Sequence, residues 1–213
     1  MQNTAPVFKE INHSESEYFH AGMDIYLNAF PSNERHSVKT IEERLDAGKS
    51  QMFVGLNEGK VITICLLFNL SDSEFILLDY MAVSNEFRGK GIGGKFLRYL
   101  TKLLKKINKY LVLEVENPEH GDNKEQRKSR IEFYKKNGAV KLKDVRYILP
   151  ALDGKSPTEM NLMVLPEYHD ITMKKETVRK LILELYKEVY GREEDDPLLN
   201  SFLGDLPEII TLT

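Results

Sequence analysis

A chain of 213 residues is long enough for one well-buried domain with an appendage, since a domain of that size removes roughly 70% of its unfolded-chain surface from water. With 41% hydrophobic and 30% charged residues the composition excludes intrinsic disorder, and a formal net charge of −3 offers no basic excess for binding a nucleic acid. Cys65 is the single cysteine, which excludes an internal disulfide, and the longest apolar run, Val61 to Phe68, is too short to cross a bilayer. The N-terminus is polar, carries Glu10 and Glu15, and lacks the apolar core of a secretory signal, so a cytoplasmic protein without a membrane partner is expected.

Pro6 to Ile11 reads as a short strand. A helix is predicted from about Ser16, with Phe19, Gly22, Tyr26, Ala29 and Phe30 at helical spacing, and Pro31 stops it. Ser37 caps a second short helix that carries Ile41 and Leu45 and closes at Gly48. The period then changes to that of strands. Met52 to Leu56 and Val61 to Leu70 flank the turn-rich Asn57-Glu58-Gly59-Lys60, which predicts a hairpin, and Phe75 to Val83 is a third strand. After a glycine-rich segment, a helix carries Phe96, Leu97, Leu100, Leu103, Leu104 and Ile107 on one stripe. Leu111 to Val115 is the next strand. A helix from Lys124 to Asn137 follows, with Asp122 as expected cap, Glu125 in the reciprocal position and Gly138 as stop. Ala139 to Ile148 and Glu159 to Leu165 read as a final strand pair. A last helix sets Val178, Leu181, Ile182, Leu185, Tyr186 and Val189 on one face and ends at Gly191. This order predicts a mixed α/β sheet with a parallel crossover at its centre.

The segment Arg88-Gly89-Lys90-Gly91-Ile92-Gly93-Gly94 meets several short patterns at once. Gly89, Gly91 and Gly94 fit a dinucleotide fingerprint, but Ser84 to Arg88 separate them from the strand, where that fold needs the strand to run directly into the first glycine. Gly89, Gly94 and Lys95 fit the P-loop spacing, but Phe96 stands where a magnesium-binding hydroxyl belongs. The third pattern, Arg88-x-x-Gly91-x-Gly93 opening a long helix, suits a pyrophosphate: glycines let successive N–H groups converge, and the helix N-terminus adds partial positive charge. A plain structural turn before a helix remains the alternative.

Leu78-Asp79-Tyr80-Met81-Ala82-Val83, followed by Phe87-Arg88-Gly89-Lys90-Gly91-Ile92-Gly93, resembles the central motif of the GNAT superfamily of acyl-CoA-dependent N-acetyltransferases. Phe133-Tyr134-Lys135-Lys136-Asn137-Gly138-Ala139 resembles that superfamily's second signature, and the likeness runs from Pro6 to Leu165. The resemblance implies a GNAT domain over residues 1–165 and a C-terminal helical extension over 166–213. It implies a mixed, mostly antiparallel sheet with a central parallel pair that splays, and helices on both faces. The implied acyl donor is acetyl-CoA, with no metal. Met81, Ala82 and Val83 would meet the pantetheine arm, one N–H polarising the thioester carbonyl. Arg88, Gly89, Lys90, Gly91, Ile92, Gly93 and Gly94 would hold the pyrophosphate, with Lys95, and Arg127 or Lys128, beside the 3′-phosphate. Tyr134 matches the tyrosine that protonates the departing thiolate, a role open to a phenol because it is neutral at working pH; Phe133 packs the helix on the sheet.

An amine must lose a proton as it attacks, and a carboxylate can take it. Alternation along Leu111 to Glu116 puts Glu114 and Glu116 on one face, near where α/β proteins bind ligands, and Asp79 lies on the neighbouring strand. Each also reads as a structural acid. Glu114 is the preferred base, or else a contact for a cationic acceptor; Glu116 and Asp79 are candidate substrate contacts. Glu34 and Arg35 follow Phe30 in the segment that walls the acceptor site in similar enzymes, with surface residues as the alternative. Arg127 and Arg130 stand where many members carry Asn and a small residue. The histidines do not have metal-site spacing. The expected function is transfer of an acetyl group from acetyl-CoA to a small-molecule or peptide amine by direct attack in a ternary complex, with a non-catalytic acyl-CoA sensor as the alternative. The C-terminal apolar stripe needs a surface, either its own domain or a second copy in a homodimer.

Overall fold

A computed structural model describes residues 5–32, 35–120, 123–151, 156–166 and 168–213, which divide into two compact units. One comprises the chain up to Asn69 together with Leu78–Leu103; the other comprises Leu70–Leu77 and Leu104–Thr213.

The first unit opens with β1 (Val7–Ile11) and α1 (Glu17–Ala29), followed by α2 (Val38–Asp46). Both helices start on serine caps: Ser16 Oγ accepts from the Tyr18 N–H and Ser37 Oγ from the Thr40 N–H. β2 (Ser50–Asn57) and β3 (Lys60–Asn69) form an antiparallel hairpin closed by Glu58 and Gly59, at φ 52° and 78°, the double positive φ that matches the twist of the strands it joins. β1 pairs antiparallel with β2 from Val7↔Leu56 to Ile11↔Met52. Period-2 alternation sends Met52 and Val54 to one face, where they join Phe19, Met23, Tyr26, Ile41 and Leu45 in a continuous core. Phe53 points the other way and meets Phe96 and Tyr99 of α3 (Ile92–Lys106), which also stack around Phe8. Helices therefore cover both faces of these strands.

β4 (Phe75–Val83) begins in the second unit, where Phe75, Ile76 and Leu77 pair in parallel with Tyr110, Leu111 and Val112 of β5 (Tyr110–Glu116). β5 then pairs antiparallel with β8 (Thr158–Leu165), from Leu111↔Leu165 to Glu116↔Met160. α4 (Lys124–Lys136) stops at Gly138, whose φ is 90°. Among the described residues the hydrogen-bonded order is β1-β2-β3-β4-β5-β8-β6, with β7 also on β8, so the sheet is mixed and mostly antiparallel, with β4 and β5 as its parallel pair.

Several expectations need correction. The strand predicted from Ala139 to Ile148 is two short pieces, β6 (Val140–Lys141) and β7 (Tyr147–Leu149), because Asp144 turns the chain at φ 59°. Ile107 lies beyond the end of α3 and is exposed rather than on its buried stripe. The residue before α4 is Asn123, with no side-chain capping bond; Asp122 lies outside the described residues. The C-terminal stripe, for which its own domain and a second copy were both open, is buried within its own unit: α5 (Lys175–Glu184) runs into a wider π turn, Leu185–Val189, and Val178, Leu181, Ile182, Leu185 and Tyr186 are inaccessible. A leucine so buried contributes roughly 1.5–3 kcal/mol. Beyond Gly191 the chain adds α6 (Pro197–Leu203) and β10 (Ile209–Thr211), which pairs with β9 (Thr172–Lys174). Its end lies against 141–143, with Leu142 bridged to Leu212.

Candidate active site

In the first unit the chain leaves β4 through one turn of tight helix, Asn85–Phe87, and enters the glycine segment. Gly89 and Gly91 have φ of 73° and 72°, and a Cβ built on either would meet nothing within 4 Å. The turn is thus bare backbone on an open side, in a conformation that residues with a side chain adopt only with strain. The Gly91 carbonyl accepts the first bond of α3, from the Lys95 N–H at 3.1 Å. A glycine at this cap has no side-chain oxygen to offer, so the N–H groups of the first turn point past the end of the helix. Arg88 Nε donates to the Val83 carbonyl at 3.1 Å and folds the turn back on β4, while Lys90 Nζ lies 4.8 Å from the centre of the Phe87 ring. Arg88, Lys90 and Lys95 are all exposed. On β4, Met81 and Val83 are half-buried, and the Ala82 carbonyl is tied to Thr63 Oγ1 at 2.7 Å.

Two other candidates in this unit have partners of their own. Asp79 faces the guanidinium of Arg44 at 3.7 Å, both side chains largely buried, and Arg44 also lies over Phe68. Arg35 Nη1 donates to the carbonyls of Leu27 and Phe30, closing the C-terminal turn of α1. Glu34 lies outside the described residues.

The second unit holds Glu114, Glu116 and Tyr134. Glu116 is gripped by two arginines of α4, Arg127 at 3.1 Å and Arg130 at 2.8 Å, and Arg127 also donates to the carbonyls of Asn117 and His120. The arginines that depart from the usual GNAT pattern thus fasten α4 to the end of β5. Glu114 is different: its two oxygens accept from the hydroxyls of Tyr147 and Tyr190, and no cation is among these partners. Burial pushes its carboxyl above the usual glutamate range, and the two phenols pull it partly back. Tyr134 is half-buried on α4, its ring 5.3 Å from that of Phe133. Among the described residues no group of three or more His, Cys, Asp or Glu is gathered to hold a metal, and no helix is long and apolar enough to cross a membrane.

Residues 48–138 match the family model described as Acetyltransferase (GNAT) domain. Over these residues the chain is similar to a GNAT acetyltransferase domain. Its curated relatives include a Bacillus subtilis (strain 168) protein named "Putative acetyltransferase YjbC", 29% identical over 130 residues, which are 61% of this chain and 62% of that protein. The chain therefore spans less than two thirds of that relative's length. Among solved structures, a Bacteroides thetaiotaomicron protein described as "Putative acetyltransferase from GNAT family" superposes with a TM-score of 0.74 at 24% identity, over 88% of this chain and 99% of that one. A Salmonella typhimurium protein, yncA, solved with its cofactor acetyl-CoA, superposes at 0.55 with 13% identity, over 78% and 97%. At these identities the likeness is one of fold, and the sheet order with its β4–β5 parallel pair is the GNAT fold.

Sequence reasoning about the GNAT-like domain missed the partners of its acids. One signal was present: Tyr190 stands four residues after the buried Tyr186, at the end of the π turn, and a phenol drawn out of water needs a hydrogen-bond partner. That requirement says a partner exists without saying that it is Glu114.

Proposed function

We propose that the protein is an N-acetyltransferase that passes an acetyl group from acetyl-CoA to an amine by direct attack within a ternary complex. The observation that carries this reading is the turn at Gly89 and Gly91. Open space lies where side chains would be, α3 opens directly on this glycine turn, and Arg88, Lys90 and Lys95 are exposed beside it in the chain. Bare N–H groups with positive charge at a helix N-terminus suit a pyrophosphate. Acetyl-CoA held there supplies the acyl thioester, with its pantetheine arm along Met81 to Val83.

Attack forms the N–C bond while the C–S bond breaks; one proton leaves the amine and one is taken up by the departing thiolate. Tyr134 gives the second proton in this reading, and Glu114 takes the first, directly or through water. Glu114 is favoured over its neighbours because its oxygens are met by neutral hydroxyls, whereas Asp79 and Glu116 are committed to guanidinium groups. A carboxylate has about four lone-pair sites, so two phenols leave it room for a proton.

The test is release of CoA thiol by the full chain from acetyl-CoA, over a panel of small amines, polyamines, aminoglycosides and peptides. At least one acceptor should be acetylated, and Tyr134→Phe should lower its turnover by roughly ten- to a thousandfold with acetyl-CoA affinity unchanged. Binding of acetyl-CoA with no turnover across the panel would make the protein an acyl-CoA sensor instead. Full activity in Tyr134→Phe would leave thiolate protonation to water.

A further inference from the structure

We infer that Tyr147 and Tyr190 are positioning residues for Glu114, a clamp of two phenols that fixes the carboxylate's orientation and holds it ready to take a proton, one of them supplied by the C-terminal segment. The inference rests on the reading of Glu114 as the base.

The three residues come from distant parts of one unit. Glu114 lies on β5, Tyr147 on β7, 33 positions on, and Tyr190 just past the π turn that ends α5, 76 positions on. The surroundings allow these hydroxyls little freedom. Tyr147 is fully buried and packs edge-on against Tyr186 and Phe202, with ring centres 6.2 and 6.1 Å apart. Tyr190 is edge-on to Tyr186 at 6.3 Å, and the turn after it is fixed by the Arg192 N–H, which donates to the Tyr186 carbonyl at 2.9 Å. Opposite Glu114 on β8 stands Leu162, and α6 contributes Phe202. The titratable groups around the carboxylate are the two phenols that donate to it, the phenol of Tyr186, which donates to the Ile148 carbonyl, and Glu116 further along β5, which Arg127 and Arg130 of α4 hold. On the segment that follows Tyr190, Arg192 and Asp196 are paired with each other at 3.2 Å.

The chemistry explains the choice of partner. A lysine or arginine here would hold the carboxylate charged and reluctant to accept a proton. A purely apolar wall would leave it protonated and unable to act as a base. Two neutral donors fix both oxygens in space and partly offset burial, which leaves a carboxylate that can still be protonated.

Two measurements test this on the full chain with the acceptor found in the amine panel. Glu114→Gln decides the underlying reading: native turnover in that variant overturns Glu114 as base, and the clamp with it. The pH profile of kcat/KM decides the clamp itself. Each phenol donates to the charged form, so its loss raises the carboxyl's pKa, and Tyr190→Phe should move the acid limb to higher pH, with kcat reduced and KM for the amine little changed. Tyr147→Phe, on a different element, should move it the same way, so the test survives if one variant folds poorly. Tyr186→Phe is the control, because its hydroxyl donates to the Ile148 carbonyl and not to Glu114; it should lower the melting temperature and leave the limb in place. An unmoved limb in both Tyr190→Phe and Tyr147→Phe, with Glu114→Gln inactive, would overturn the clamp while sparing the base.

Discussion

Gly89 and Gly91 have side-chain-free, positive-φ backbone that faces open space. A substitution there is strained by conformation and not by collision, so its effects on fold and on binding can be separated. Gly91→Val should cost about 1–2 kcal/mol of stability from the left-handed backbone and weaken acetyl-CoA binding by tenfold or more, because the new side chain projects where the phosphates are to sit. Gly48→Val is a matched control: Gly48 has φ 69° and equally open space, but closes α2. Calorimetric titration should find a comparable drop in melting temperature for both variants and a binding defect only for Gly91→Val. Equal affinity in the two would move the pyrophosphate away from this turn. The glycines were legible in the sequence because their spacing and the helix behind them are local. Alternation likewise put Glu114 and Glu116 on one strand face. What each acid bonds to was not legible, because Tyr147 and Tyr190 reach Glu114 from 33 and 76 residues away, and no local pattern encodes such pairings.

The same limit holds for elements. Long periodic segments were read close to their bounds: α1, α2 and α4, the β2–β3 hairpin, and β4 from Phe75 to Val83. The pieces that escaped are short and stabilised at a distance. β9 and β10 are three residues each and pair across about 35 positions without a turn to announce them. α6 has only seven residues, but its start did carry a signal: Asp196 followed by Pro197 is a cap and first-turn pair. Asp196 Oδ1 accepts from the Leu198 and Leu199 N–H groups at 2.8 and 3.1 Å, and α6 buries Leu199, Phe202 and Leu203. Asp196→Ala should therefore cost about 0.5–2 kcal/mol in urea unfolding. Asp196→Asn keeps the cap and loses only the carboxylate charge that pairs with Arg192, so it should recover most of that loss. An alanine variant as stable as the native chain would show that burial alone holds α6.

At the scale of the whole molecule, Glu114 ties stability to pH. Its carboxyl titrates above the usual range because burial disfavours the charge more than the phenols favour it. Between the ordinary glutamate value, about 4.3, and its folded value, the folded state holds more protons than the unfolded one. The contribution of Glu114 to stability is thus fully present below about pH 4.3 and is lost as pH rises through the folded value. Above that, the fold carries a charge in a site that prefers none. Glu114→Gln removes the charge and keeps two hydrogen-bonding atoms, its carbonyl accepting from one phenol and its amide donating to the oxygen of the other. The variant should therefore gain stability relative to the native chain as pH rises through this window, and the gain should vanish at pH 4. Urea midpoints for the two proteins over pH 4 to 8 measure the difference directly. A constant difference across the series would mean that the Glu114 carboxyl titrates alike in the folded and unfolded chains. A growing one, together with inactive Glu114→Gln, would show the chain sacrificing stability at the residue it uses for proton transfer.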